Sequence, residues 1–156
     1  MVVIRQAKAE DIIAISQLAS DLLPERYSSG VFTSLFERFP YGILVAEDKE
    51  RLVGFLVGII PEENSARVLM LGVIPEYRRT GVGTELMKMF KVAVEPYRVT
   101  SINLEVLTSN NTAIRFYQRN GFEIKDRMSH FYVTGEDAFL MKKMITTSSA
   151  RVLSPS

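Results

Sequence analysis

The stretch Pro75-Glu76-Tyr77-Arg78-Arg79-Thr80-Gly81-Val82-Gly83-Thr84 decides how this chain is interpreted. It stands between an apolar run, 68–74, and a segment with helical periodicity that continues to Val94. The first amides of a helix have no partners inside the helix, and the helix dipole makes that end positive. Gly81 and Gly83 lack a Cβ atom, so a ligand can approach the backbone closely, and two arginines add positive charge. The stretch therefore has the chemistry of a pyrophosphate-binding turn.

A glycine pair before a helix is also compatible with a simple tight turn, and the local pattern leaves both interpretations open. Two other nucleotide-binding patterns are excluded. The third glycine and the later acidic residue of the dinucleotide fingerprint are missing. No Gly-Lys-Ser/Thr sequence follows, although a P-loop requires one.

A second segment with polar groups lies downstream, where a strand, a turn and a short helix are predicted. Residues 101–107 alternate as a strand does, so Glu105 lies on the face opposite the aliphatic residues. Asn110 or Asn111 can cap a helix that Asn120-Gly121 ends, and Tyr117 lies on that helix. A carboxylate and a phenol near one cleft can serve as base and acid. Without the rest of the chain, the favoured alternative is a solvated Glu105 and a Tyr117 that only packs.

The remaining pattern alternates between strands and helices. A hairpin turn is expected at Asp48-Lys49-Glu50, a polar loop at 61–66 and a mobile tail at 147–156. This order predicts one domain, 1–146, of mixed α/β class with helices on both faces of the sheet. The predicted strands are 1–5, 43–47, 52–60, 68–74, 101–107, 122–125 and 138–144, and the predicted helices are 12–22, 31–39, 81–94 and 111–119.

Composition narrows the functional classes. The formal net charge of +1 gives no global field for nucleic acid or an anionic membrane. No cysteine is present, so disulfides, thiolate metal sites and a cysteine nucleophile are excluded. His130 is the single histidine, and we predict no metal site. The longest apolar run, Leu52 to Ile60, is too short for a bilayer, which needs about 20 residues. With no signal peptide recognised at the start, we expect a cytoplasmic protein.

Taken together, the two segments resemble the GCN5-related N-acetyltransferase superfamily. The Arg-x-x-Gly-x-Gly pattern from Arg78 is similar to its coenzyme A pyrophosphate loop, and the run from Asn110 to Phe122 is similar to its second cofactor motif. The resemblance implies a mostly antiparallel sheet of six to seven strands, a splayed cofactor cleft in the sheet, and acetyl-coenzyme A as acetyl donor. It assigns the cofactor to Leu71, Gly72, Val73, Arg78, Arg79, Thr80, Gly81, Val82, Gly83, Thr84, Asn110, Ala113 and Tyr117.

Three further segments resemble protein N-terminal acetyltransferases. Leu104-Glu105-Val106 with Ser109-Asn110 is similar to bacterial ribosomal-protein alanine acetyltransferases. Leu23-Pro24-Glu25-Arg26-Tyr27 and the run from Tyr132 to Ala138 are similar to archaeal and eukaryotic catalytic subunits. The resemblance implies that protein or peptide N-termini are the substrate, with ribosomes or nascent chains as possible partners of a monomer or homodimer. It assigns peptide contacts to Leu23, Glu25, Tyr27 and Tyr132.

The resemblance also implies a mechanism in which the amine attacks the thioester directly. Glu105 is the expected general base, acting through water, and Tyr117 the general acid. Two positions depart from the pattern. Arg67 stands where several relatives carry tyrosine or histidine, and Phe131 stands where a second tyrosine often occurs. Acetylation of a small amine or of a lysine side chain stays an alternative, and a non-catalytic coenzyme A-binding module is a third.

Overall fold

The computed structural model describes residues 1–24, 27–131 and 134–145. Two of the predicted peptide contacts, Glu25 and Tyr132, lie outside the described residues. The predicted tail at 147–156 and the domain boundary at 146 lie outside them as well. Those expectations therefore stay predictions.

Four helices and one seven-stranded sheet make up the described fold. The strand order in the sheet is β1-β2-β3-β4-β5-β7-β6. β4 and β5 pair in parallel, whereas β1 with β2, β2 with β3, β5 with β7 and β6 with β7 pair antiparallel. The predicted mixed, mostly antiparallel sheet is confirmed. The strands are β1 (Val3–Gln6), β2 (Ile43–Asp48), β3 (Arg51–Glu62), β4 (Ser65–Val73), β5 (Ser101–Leu107), β6 (Glu123–Met128) and β7 (Ala138–Met144), and the helices are α1 (Ile12–Leu22), α2 (Ser29–Arg38), α3 (Val82–Val94) and α4 (Asn111–Arg119).

The polar loop predicted at 61–66 is wrong. β3 continues to Glu62 and β4 already begins at Ser65, so a short turn joins two neighbouring strands. Asn64 takes the left-handed conformation in that turn, with φ of 67°. The sequence suggested a loop because the ends of this hairpin are polar, and polar side chains suit exposed strand ends as well as loops. The predicted strand at 122–125 is also too short, since β6 extends to Met128.

The chain forms two compact units, and the first comprises residues 1–59 and 68–94. Its core packs α1 and α2 against one face of β2 and β3, with Ile15, Phe32 and Phe55 fully buried. The other face of β3 receives α3. There Gly58 lies against the ring of Phe90, so closely that a Cβ atom at residue 58 would stand 2.3 Å from that ring. Helices on both faces, as predicted, account for the continuous burial of β3 from residue 53 to 58.

The second unit comprises residues 60–67 and the described chain from residue 95 onward. β5 pairs with β7 over its whole length, from Ser101 opposite Met144 to Leu107 opposite Ala138. Burial alternates along β5 as predicted, with its aliphatic side chains inside. Gly121, with φ of 92°, follows α4 as the expected stop. Within the described ranges, no helix has the length and apolar character needed to cross a bilayer.

Candidate active site

The turn before α3 has the backbone geometry that an anion site needs. Arg79 and Gly81 are in the left-handed region, with φ of 64° and 90°. The first helical hydrogen bond runs from the amide of Glu85 to the carbonyl of Gly81, at 2.9 Å. The amides of the intervening residues 82–84 belong to the first turn of the helix, where helical partners are missing. A Cβ atom built on Gly81 would meet no heavy atom within 4 Å, so its backbone is open to a ligand.

Side chains of the first unit hold this turn from outside. Tyr77 Oη donates a 2.5 Å hydrogen bond to Oδ2 of Asp48, the last residue of β2. Arg51 Nη2 lies 3.5 Å from Glu76 Oε2 across the same gap. Thr80 Oγ1 donates to the carbonyl of Tyr77 and closes the turn on itself. The last residue of β2 and the first residue of β3 thus contact, and help to hold in place, the residues that precede the glycines.

Titration of the supporting pair is perturbed by their contact. The hydrogen bond from Tyr77, followed by that from the α-ammonium group of Met1, holds the pKa of the Asp48 carboxyl below its usual range. The same carboxylate raises the pKa of the Tyr77 hydroxyl. Both shifts favour the state in which tyrosine is the donor and aspartate the ionised acceptor.

The arginines of the turn have different surroundings. Arg78 Nε donates to the carbonyl of Val73 at 3.0 Å, so this side chain ties the turn back to the end of β4. Arg79 is exposed. In the predicted pantetheine-binding segment, Gly72 is buried and Leu71 and Val73 are half-buried. An open groove of about 360 Å³ adjoins the turn and is lined by Val2, Ile4, Tyr77, Thr80, Gly81, Val82 and Glu85.

Glu105 is not a solvated strand residue. Its side chain is only 9% exposed, and Oε1 forms an ion pair with Arg67 Nη2. Arg67 ends the parallel ladder of β4 with β5, where it is paired with Asn103. Asn103 Nδ2 donates to Ser65 Oγ at 2.6 Å, which fixes the two strands beside the ion pair. The carboxylate is therefore shielded and charge-compensated.

The helix α4 begins as the sequence predicts. Asn110 Oδ1 accepts a hydrogen bond from the amide of Ala113 at 3.1 Å, so two predicted cofactor residues are joined by the helix cap. Tyr117 is half-buried, with its ring edge-on to Phe116 and Phe122 at 5.3 and 5.8 Å between ring centroids. These rings fix the plane of the phenol.

Two predicted peptide contacts are described, and both also pack in the first unit. Leu23 and Tyr27 lie against its core, and the Tyr27 ring meets Phe32 edge-on at 6.1 Å. Phe131 is 40% exposed. Their part in peptide binding stays a prediction.

Sequence reasoning missed the support that Asp48 and Tyr77 give to the turn. The sequence pattern assigns no role to Tyr77, and it marks Asp48 only as a residue of a hairpin turn. The contact joins residues 29 positions apart, so no local signal announces it.

Comparison with known proteins shows the family of this chain. The acetyltransferase (GNAT) family model matches residues 12–122. An N-alpha-acetyltransferase of Sulfurisphaera tokodaii is 31% identical over 150 residues, which cover 88% of this chain and 90% of the relative. The N-terminal acetyltransferase A complex catalytic subunit NAA10 of Arabidopsis thaliana is 32% identical, covering 92% of this chain and 78% of the relative. The crystal structure of Ard1 from Thermoplasma volcanium superposes with a TM-score of 0.87 at 31% identity, covering 92% and 97%.

These matches define an acetyl-coenzyme A-dependent N-acetyltransferase, with acetyl-coenzyme A as the acetyl donor. The chain belongs to the GNAT acetyltransferase family, as the resemblance of its two motifs predicted.

Proposed function

We propose that this enzyme acetylates the N-terminal α-amine of proteins or peptides. The observation that carries the proposal is the similarity to N-alpha-acetyltransferases along almost the whole chain, 88% of it in one case. The alignment covers 90% of the Sulfurisphaera relative and the superposition covers 97% of the Ard1 chain, so the similarity is not confined to the two cofactor motifs. NAA10 is itself named as the catalytic subunit of an N-terminal acetyltransferase complex.

In the proposed reaction the neutral amine attacks the carbonyl carbon of the thioester. A C–N bond forms, the C–S bond breaks, and coenzyme A leaves as the thiolate. As the amide forms, its nitrogen releases one proton, which balances the proton that the thiolate takes up. Before the attack, the α-ammonium ion must lose a proton to become the neutral amine, and its pKa of about 8 means that a moderate base suffices. Glu105 takes that proton through a water molecule, and its burial beside Arg67 keeps bulk solvent away from the carboxylate.

Tyr117 is the proposed acid, which returns a proton to the departing thiolate. Its phenol is oriented by the edge-on rings of Phe116 and Phe122. A group held in one orientation delivers its proton without first having to be ordered, which is an advantage for a general acid. The two groups together leave the enzyme in its starting protonation state once proton exchange with water is complete.

The donor is held by the turn at 78–84 in this proposal. The amides that begin α3 and the positive end of its dipole receive the pyrophosphate, and Arg79 adds charge. Asn110 and Ala113 contact the cofactor from the start of α4, while backbone groups at Leu71–Val73 bind its pantetheine part. Leu23, Glu25, Tyr27 and Tyr132 contact the first residues of the peptide. Nascent chains in the cytoplasm are the expected acceptors, for a monomer or homodimer.

Two lysine-containing peptides that differ only in a free or a blocked N-terminus test the proposal. The purified protein and acetyl-coenzyme A are incubated with each, and tandem mass spectrometry locates the acetyl group. We expect acetylation of the free α-amine and no reaction of the blocked peptide. Lysine acetylation in both peptides would instead assign a side-chain enzyme. Reaction with neither, but with polyamines or aminoglycosides, would assign a small-amine enzyme.

A further inference from the structure

Arg67 contacts the residue proposed as the base. Its guanidinium pairs with Oε1 of Glu105. An arginine side chain stays protonated and cannot relay a proton, so any effect of Arg67 on the carboxylate comes from its charge and its fixed contact.

The geometry gives the pair a fixed frame. Arg67 stands at the last of the three residue pairs that align β4 with β5, and Glu105 follows two residues beyond its partner Asn103. Asn103 donates to Ser65 Oγ at 2.6 Å and so fixes the strands at the root of the arginine. The Arg67 side chain is 34% exposed and that of Glu105 is 9% exposed, so the carboxylate is the more enclosed partner.

An ionised carboxylate with so little exposure requires a partner of opposite charge or strong hydrogen bonds. A guanidinium is planar and carries its donors in a rigid fork, so it fixes the orientation of the oxygens that it contacts. Oε1 is buried, and the ion pair with Arg67 is its contact with a charged group. In this inference, Oε2 is the oxygen that accepts the proton. A carboxylate with one oxygen held has fewer unproductive orientations than one that rotates freely.

We propose that Arg67 is the positioning residue of Glu105, holding one carboxylate oxygen so that the other receives the amine proton through water. This inference rests on the proposed function of Glu105 as the base. Arg67 itself contacts no reacting atom in this account. Its effect is on the rate of the chemical step, while the affinity for acetyl-coenzyme A is left to the turn before α3.

A double-mutant cycle tests the inference. The turnover number and both KM values are measured for the wild type, Arg67→Met, Glu105→Gln and the double variant. We expect Arg67→Met to lower kcat about 10- to 100-fold, part of what general-base catalysis supplies, with KM for acetyl-coenzyme A within about twofold. In the Glu105→Gln background, Arg67→Met should change kcat by less than about twofold, because the residue that it positions is already gone.

Two further variants separate positioning from general damage. Arg67→Lys keeps the charge without the fork and should recover part of the lost kcat. Arg98→Met removes an exposed arginine from the same unit and should leave kcat unchanged. Circular dichroism and coenzyme A binding show whether Arg67→Met folds. If it does not fold, Arg67→Lys replaces it in the cycle. We then expect a smaller loss of kcat, which should again nearly disappear in the Glu105→Gln background.

The outcomes separate the positioning role of Arg67 from the proposed role of Glu105 as the base. Equal loss from Arg67→Met in the wild type and in Glu105→Gln would overturn the positioning role, because the two residues would then act independently. A wild-type kcat in Arg67→Met would overturn it as well. A wild-type kcat in Glu105→Gln would refute the base assignment, and the inference with it. The cycle requires only turnover, so it is run with whichever amine the enzyme acetylates.

Discussion

The turn before α3 and the carboxylate on β5 are built in opposite ways. The turn presents mainly backbone groups, and glycine conformation, a helix start and local hydrogen bonds fix their direction. The carboxylate is one side chain, and its environment depends on a single ion pair with a residue of the neighbouring strand. A backbone site is disturbed by changes in chain conformation, whereas a side-chain site is disturbed by loss of one group or of its partner. If the turn binds the acetyl donor and Glu105 is the base, as proposed, mutations should impair donor binding and chemistry separately.

The largest expected effect is on the side-chain site. Glu105→Gln keeps the shape of the residue but removes the proposed base, so kcat should fall about 100- to 10,000-fold. The Kd for coenzyme A, measured by isothermal titration calorimetry, should stay within about twofold because the donor turn is intact. Glu123→Gln, an exposed position on β6, is the matched control and should keep wild-type kcat. A weakened Kd with unchanged kcat would reverse the roles assigned to the two regions.

Changing the backbone of the turn should weaken the binding of coenzyme A and leave kcat nearly unchanged. Gly81→Ala places a Cβ atom where nothing collides with it, so its effect comes from the left-handed φ of 90° alone. Strain of this kind amounts to about 1–3 kcal/mol. We expect coenzyme A affinity to drop by about tenfold with little change in kcat at saturating donor. Gly30→Ala, in the helix α2 with its nearest neighbour 3.8 Å away, should leave affinity unchanged. Equal affinity in both variants would argue against a ligand on the turn.

Loss of the support behind the turn should have a smaller effect. Tyr77→Phe removes the hydrogen bond to Asp48 but leaves the ring and the glycines in place. KM for acetyl-coenzyme A should rise about two- to fivefold, as expected for one hydrogen bond, with kcat unchanged. Tyr97→Phe, at a tyrosine that is 52% exposed, serves as the control for loss of a hydroxyl. A fall in kcat at saturating donor would show that the support also affects chemistry.

The smallest effect concerns the pH dependence of stability. The folded-state pKa of Asp48 is lowered, first of all by Tyr77, so its contribution is complete above the unfolded pKa of about 3.9. That contribution is lost as the pH falls through the lower folded-state value. The urea midpoints of the wild type and Tyr77→Phe should therefore differ at pH 7, and this difference should shrink progressively as the pH falls below the unfolded pKa of about 3.9. A difference that is independent of pH would show that the ionised aspartate does not strengthen this hydrogen bond.

The two regions also differed in how far the sequence could predict them. The turn and the helix that follows it were predicted, because glycines and a helix start are local features, while the binding of coenzyme A by this turn stays a prediction. The cap of α4 and its stop at Asn120-Gly121 were predicted for the same reason. The hairpin between β3 and β4 was missed because its polar residues fit a loop equally well. The local sequence pattern indicates the backbone conformation of a segment, but it does not indicate which strands pair with each other.

The ion pair at Glu105 could not be predicted from the chain alone. The alternation along β5 placed the carboxylate on the face opposite the aliphatic residues, but the local pattern alone favoured a solvated side chain, and that expectation was wrong. Only the register of Arg67 beside Asn103 brings the arginine within reach. The resemblance marked Arg67 as unusual without indicating its contact. The support of Tyr77 by Asp48 escaped for the same reason, because it too depends on strand positions far apart in the sequence.

The close packing of Gly58 against Phe90 has a consequence for how this family member can vary. The missing side chain of Gly58 is the space that the aromatic ring occupies, so the two positions share one volume. Which substitutions are tolerated at one position therefore depends on the residue at the other. Alanine at residue 58 becomes tolerable once a smaller side chain replaces the aromatic ring at residue 90. Among descendants of this sequence the two positions should covary, and a library that randomises them together should recover folded pairs that neither single substitution reaches.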